Sequence, residues 1–121
     1  MKTTLTAEQS AALIKRGVNP DKASQSFAVA QAAANVRGLV RIPPQPIFTL
    51  ADLFALLPKT ICEDYSSYDL AIFADNVWEA AYIGWSSAEI EESRYSGHGV
   101  ELIDALLSLV CKLLGNHVKL N

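Results

Sequence analysis

Ser96 and His98 stand two residues apart in RYSGHGVELIDALL (94–107), and Asp104 follows six residues later. A hydroxyl, an imidazole and a carboxylate are the parts of a nucleophile, its general base and the group that orients the base. That chemistry needs all three within mutual hydrogen-bond reach. The spacing is not the GxSxG of a nucleophile elbow between a strand and a helix. Glycines and a serine directly before an apolar helix have a plainer use, which is to satisfy the free amides at its start. Capping is therefore the expected role, with His98 at the surface. A ligand loop built on Ser96 and His98 is the alternative. Glu101 and Asp104 oppose an anion at the same helix start.

Other reactive residue types are scattered. His98 and His117 would lie at opposite ends of one continuous helix, roughly 27 Å apart, too far to share a metal. Glu89, Glu91 and Glu92 lack the spacing of acids around a glycine that a calcium loop requires, so they read as a solvated acidic loop. Cys62 and Cys111 have no CxxC or Cys/His companion and adjoin apolar runs, which predicts two buried free thiols. No phosphate loop, dinucleotide fingerprint or catalytic cysteine motif is present. No cofactor is expected. The aromatic set Trp78, Tyr82, Trp85 and Tyr95 is expected in the core; exposed, it would make a contact surface.

The elements that must position these residues follow from caps and periodicity. Thr6 with Gln9 forms a capping box for a helix over 7–16, which Gly17 ends. Thr49 with Asp52 forms a second box, and Phe48 with Leu53 the matching hydrophobic staple, for a helix over 49–57 that buries Leu50, Leu53, Phe54 and Leu57. Pro43 to Pro46 reads as an extended linker. YDLAIFADNVWEAAYIGW predicts a β-hairpin over 68–85, turning at Asp75-Asn76. A two-residue turn places Phe73, Trp78 and Tyr82 on one face, and Leu70, Ile72, Val77 and Ile83 on the other. Residues 25–42 suit a strand nearly as well as a helix. The last helix, about 100–114, has eleven apolar residues in fifteen. Such a helix is either the central core element or is buried partly against another subunit.

These elements make one α+β domain of 121 residues, long enough to bury a core without disulfides or metal. Half the residues are apolar and 19% are charged. The net charge of −3 conceals a division. Residues 1–62 carry seven basic and three acidic side chains, whereas 63–104 carry Arg94 against ten acids. Either the halves attract each other within the domain, or the acidic surface meets a basic partner or a second copy head to tail. Arg37 and Arg41 are too few for a nucleic-acid surface. The absence of an apolar leader or spanning segment predicts a cytoplasmic protein without a membrane role.

FTLADLFALLPKTI and VELIDALLSLVCKLLGNHVKLN, with YDLAIFADNVWEAAY between them, resemble a group of small uncharacterised proteins from gut anaerobic bacteria and their prophages or mobile elements. The likeness covers about 45–121 and LTAEQSAALIKRGVN, while 24–42 depart from it. It implies an intracellular protein of bacterial or phage origin and nothing catalytic. The leading expectation is thus a non-enzymatic, self-associating interaction protein, first of all a dimer. Its contact surface is expected among Trp78, Tyr82, Trp85, Leu102, Leu109 and Leu113. The alternatives are a ligand-binding protein or enzyme using Ser96 and His98, and an acidic binder of a basic protein.

Overall fold

The structure is a computed structural model that describes residues 1–27, 44–85 and 91–121. Its class is α+β. The described elements run α1 (Ala7–Lys15), β1 (Gln25–Phe27), β2 (Gln45–Ile47), α2 (Leu50–Leu56), β3 (Thr60–Glu63), β4 (Ser66–Ala74), β5 (Trp78–Trp85), β6 (Glu91–Gly99) and α3 (Leu102–Gly115). None of the helices among these residues is long and apolar enough to cross a membrane.

Both predicted capping boxes form. The Thr6 hydroxyl accepts from the Gln9 amide at 3.1 Å, and the Gln9 side chain accepts from the Thr6 amide at 3.0 Å. At α2 the Asp52 carboxylate accepts from the amides of Thr49 and Ser24 and from the Ser24 hydroxyl, at 2.8–2.9 Å. Phe48 and Leu53, the staple pair, are both fully buried. Leu56 and Leu57 complete the buried face, whereas Phe54 is 36% exposed, contrary to expectation. The residues before α1 hydrogen-bond beside the start of α2: Leu5 donates to Phe48 and Leu50 donates to Thr3. The buried Ser10 hydroxyl accepts from the Phe48 amide.

The expected strand in 25–42 exists at Gln25–Phe27, and residues 28–42 lie outside the described part. It pairs with Gln45–Ile47 rather than joining the main sheet. Pro46 therefore sits in a three-residue strand, in a two-stranded pair where its missing amide costs little.

The main sheet is antiparallel in the order β3-β4-β5-β6. The hairpin is present, but its loop holds three residues, 75–77, closed by Ala74 opposite Trp78 and a 3.2 Å bond from the Asp75 amide to the Val77 carbonyl. One extra loop residue shifts every pair by one and regroups the faces. Phe73 opposes Glu79, not Trp78. Leu70, Ile72, Trp78 and Tyr82 face inward; Phe73 and Ile83 lie on the outer side, where Ala81 between them is fully buried.

Two strands had no sequence-based expectation. β3 and β4 join through Asp64 and Tyr65, both at positive φ (51° and 64°), the backbone of a tight hairpin turn. Residues 91–99, expected as a loop, form β6. The last helix is α3, beginning at Leu102 after Glu101, which makes no side-chain cap bond. Its Ile103, Ala105, Leu106, Leu109, Val110 and Leu113 are completely buried. α3 is the central core element of the chain, and its Leu102, Leu107, Cys111 and Leu114 are only partly buried.

Candidate functional site

Ser96 and His98 do not cap a helix. They lie on strand β6, where side chains alternate between faces. Gly97 and Gly99 take the inner positions between them, and α3 rests directly on the strand there. A Cβ at Gly97 would stand 2.4 Å from the Ala105 carbonyl oxygen and 2.5 Å from the Leu109 nitrogen. One at Gly99 would stand 2.6–2.7 Å from Asp104 and Ala105. The S-G-H-G pattern thus serves close helix packing on one face and leaves both polar side chains on the other.

That outer face is built from cross-strand rows. Phe73, Glu79 and His98 align across β4, β5 and β6; Ala71, Ala81 and Ser96 form the next row; Asp69, Ile83 and Ser93 the one beyond. A bulge in β6 between these last two rows diverts Arg94 and Tyr95. His98 Nε2 pairs with the Glu79 carboxylate, and both side chains are partly exposed. Phe73, Glu79, Ile83 and Ser93 line a shallow depression of about 370 Å³. No described helix packs on this face; α3 contacts β5 and β6 from the inner side.

Chemically, the three parts of the suspected triad are not assembled. Asp104 is on α3, across the sheet from His98. The imidazole engages Glu79, and among the described residues it makes no hydrogen bond to Ser96. Neither Ser96 nor His98 is among the described residues lining the depression. His117 follows α3, whose 14 residues span about 21 Å, so the two histidines stay far apart. Among the described residues no group of three or more His, Cys, Asp or Glu could hold a metal. Glu89 lies outside the described residues, as does the Glu91 side chain, and Glu92 is exposed on β6.

A second polar group lies at the open end of the inner face. Arg94 Nε donates to Glu63 at 2.8 Å, its Nη2 pairs with Asp64 at 2.8 Å, and the Tyr95 hydroxyl donates to Glu63 at 2.8 Å. β3 and β6 are the sheet's two edges, nominally about 14 Å apart across three strand spacings. Between them Gly84, which has no side chain, leaves the room on β5 that the Tyr68 ring occupies. The Glu63 hydrogen bond, aided by Asp64, holds the Arg94 guanidinium firmly charged. Burial, then the Glu63 carboxylate, pushes the Tyr95 hydroxyl up. This group joins the two edges and is a structural clamp.

The expected contact residues fare differently. Tyr82, Leu109 and Leu113 are fully buried in the single chain. Trp78 and Leu102 are partly buried against the core. The Trp85 side chain lies outside the described residues. The outward apolar residue that sequence reasoning misplaced is Phe73, 41% exposed, and the loop length decided its face. Cys62 is likewise exposed rather than buried; Cys111 is partly buried and both thiols are free. No known protein family, curated protein or solved structure matches this chain.

Proposed function

We propose that the chain is a non-catalytic, self-associating interaction protein whose contact surface is the outer face of the four-stranded sheet. The observation that carries this reading is Phe73, exposed beside Ala71 and Ile83 on a sheet face with no described helix upon it. Burying the 41% of Phe73 still exposed contributes about 1 kcal/mol, one part of what a contact requires. On α3, the other place where association was expected, Leu109 and Leu113 are fully buried and Leu102 is partly buried. Sedimentation equilibrium should give a mass above the 13.1 kDa of one chain, reduced by Phe73→Glu. A clean monomer at high micromolar concentration would sink the reading.

A second reading, an acidic binder of a basic partner, has its own support. The ion pairs among the described residues all lie within 63–98: Arg94 with Glu63 and Asp64, and His98 with Glu79. Among the described residues none joins the basic N-terminal half to the acidic sheet, and binding to a basic partner through that sheet would weaken steeply with salt. A bacterial or phage origin rests on the sequence resemblance alone.

A further inference from the structure

α2 ends on carbonyls that its own neighbourhood does not satisfy. Leu57, the residue after the helix, donates back to Leu53 and Phe54. Pro58 comes next and has no amide hydrogen, so the carbonyls of Ala55, Leu56 and Leu57 gain no donor from it. The last turn of α2 carries no basic residue either. A residue distant in sequence takes all three carbonyls. Asn121 donates its backbone amide to Leu56 at 2.9 Å, and its side-chain amide to Ala55 and Leu57 at 3.1 and 3.2 Å. Those are all the N–H groups an asparagine has. Among the described residues no other group donates to these carbonyls.

The other end of the same segment is fastened to α3. The Val118 amide donates to the Leu113 carbonyl at 2.9 Å, and the His117 amide to Leu114 at 3.2 Å. With His117 at φ 57°, this is a Schellman close of the helix, with histidine where glycine is usual. A side chain in that left-handed conformation carries a penalty that glycine does not. Residues 118–121 therefore run from the end of one helix to the end of another. With Val18, Leu56 and Leu114 they line an apolar slot of about 310 Å³.

Between its two fastenings the segment is lightly held. Lys119 and Asn121 are exposed, and Val118 and Leu120 are half-buried. The helix it leaves is the opposite, since Leu106, Leu109, Val110 and Leu113 are completely buried. Segments with few buried contacts and exposed hydrogen bonds open far more often than the core beneath them. We propose that residues 118–121 are a strap, hinged at His117 and latched by Asn121 on the end of α2, that opens while the core stays folded. Opening breaks the Val118 bond and the three of Asn121, and it relieves the left-handed backbone at His117. It also takes one side of the slot away from Val18 and Leu56, both nearly fully buried when the strap is closed. The device is separate from the association proposed for the sheet face and does not depend on it.

The test is hydrogen exchange of backbone amides in the whole chain, followed by NMR at urea concentrations below the unfolding transition. Local opening exposes little surface and responds weakly to urea, whereas global unfolding responds strongly. In the wild type the Val118 and Asn121 amides should exchange about a hundredfold or more faster than those of Leu106 and Leu109, with little urea dependence. Asn121→Asp keeps the shape and the backbone amide but replaces both side-chain donors with a carboxylate facing carbonyls. It should speed Val118 exchange about tenfold and leave Leu106 and Leu109 within about twofold. His117→Gly removes the penalty at the hinge and should slow Val118 exchange about fivefold. Circular dichroism checks that both variants fold.

Wild-type Val118 and Asn121 amides that exchange at the core's rate, with the core's urea dependence, would make the segment part of the core and overturn the strap. Equal acceleration of Val118 and Leu109 in Asn121→Asp overturns it as well. An unchanged Val118 rate in that variant removes Asn121 as the latch, and the proposal with it.

Discussion

Replacing Gly97 with alanine tests the placement of α3 more sharply than any change of charge. The new methyl would stand 2.4 Å and 2.5 Å from backbone atoms of Ala105 and Leu109, against an ordinary approach of about 3.5–4.0 Å. Backbone cannot rotate aside as a flexible side chain can. The helix must therefore retreat by about 1 Å, and a gap of that size forfeits a quarter to a half of each contact it opens. Six fully buried side chains ride on α3, so the loss spreads through the core. Overpacking costs about 1–3 kcal/mol, and this geometry belongs at the upper end, near 3 kcal/mol, or about 10 °C in Tm. Where space is open the same substitution has the opposite sign, stabilising by about 0.4–1 kcal/mol through the unfolded chain. Gly115, with nothing within 4 Å of its would-be Cβ, is that control. Urea and thermal unfolding followed by circular dichroism give both values. A Gly97→Ala protein within 1 kcal/mol of wild type would refute the seating of α3 on β6.

Two further outcomes follow from buried and capping groups. The Tyr82 hydroxyl, on a fully buried ring, donates to the Pro58 carbonyl at 2.7 Å, so Tyr82→Phe should cost about 1–2 kcal/mol in urea unfolding. Burial pushes that hydroxyl well above the ordinary phenol value, so the folded state holds its proton more tightly. Stability should accordingly fall as pH rises above about 10, and Tyr82→Phe should flatten that alkaline slope. Asp52→Ala removes the acceptor of three hydrogen bonds at the start of α2 and should cost about 1–2 kcal/mol. Desolvation raises the Asp52 carboxyl, but the bonds from Thr49 and Ser24 outweigh it and hold it below the ordinary value. Its contribution is therefore present at neutral pH and lost as pH falls below about 4, where wild type and variant should converge.

Local signals were legible wherever one residue's chemistry sufficed. Both capping boxes, the staple at Phe48 and Leu53, the hairpin and the apolar helix at the C-terminal side all follow from neighbours a few positions apart. What escaped was set by the backbone or by distant contacts. β3 was hidden because its turn, Asp64-Tyr65, adopts positive φ at both positions without the glycine or asparagine that advertises such a turn. β6 was hidden because EESRYSGHG has no β-branched residue and only Tyr95 of the types that mark a strand. The hairpin faces depended on a single loop residue, Val77, which is 43% exposed in the turn instead of paired in the strand.

The glycines of S-G-H-G carried the signal that would have located the site. Two glycines at a spacing of two lie on one face of a strand, and a strand gives up side chains on a face only where something must come close. Read as a strand, the motif requires a helix on the glycine side and puts Ser96 and His98 outward. The same pattern read as a loop offers a cap and a catalytic pair, and β6 supplies neither. The two properties are consequently separable. Changes at Gly97 or Gly99 act on stability through α3, whereas changes at Ser96 or His98 act on the surface shared with Glu79 and Phe73. An interface on that surface can be altered without touching the core that supports it.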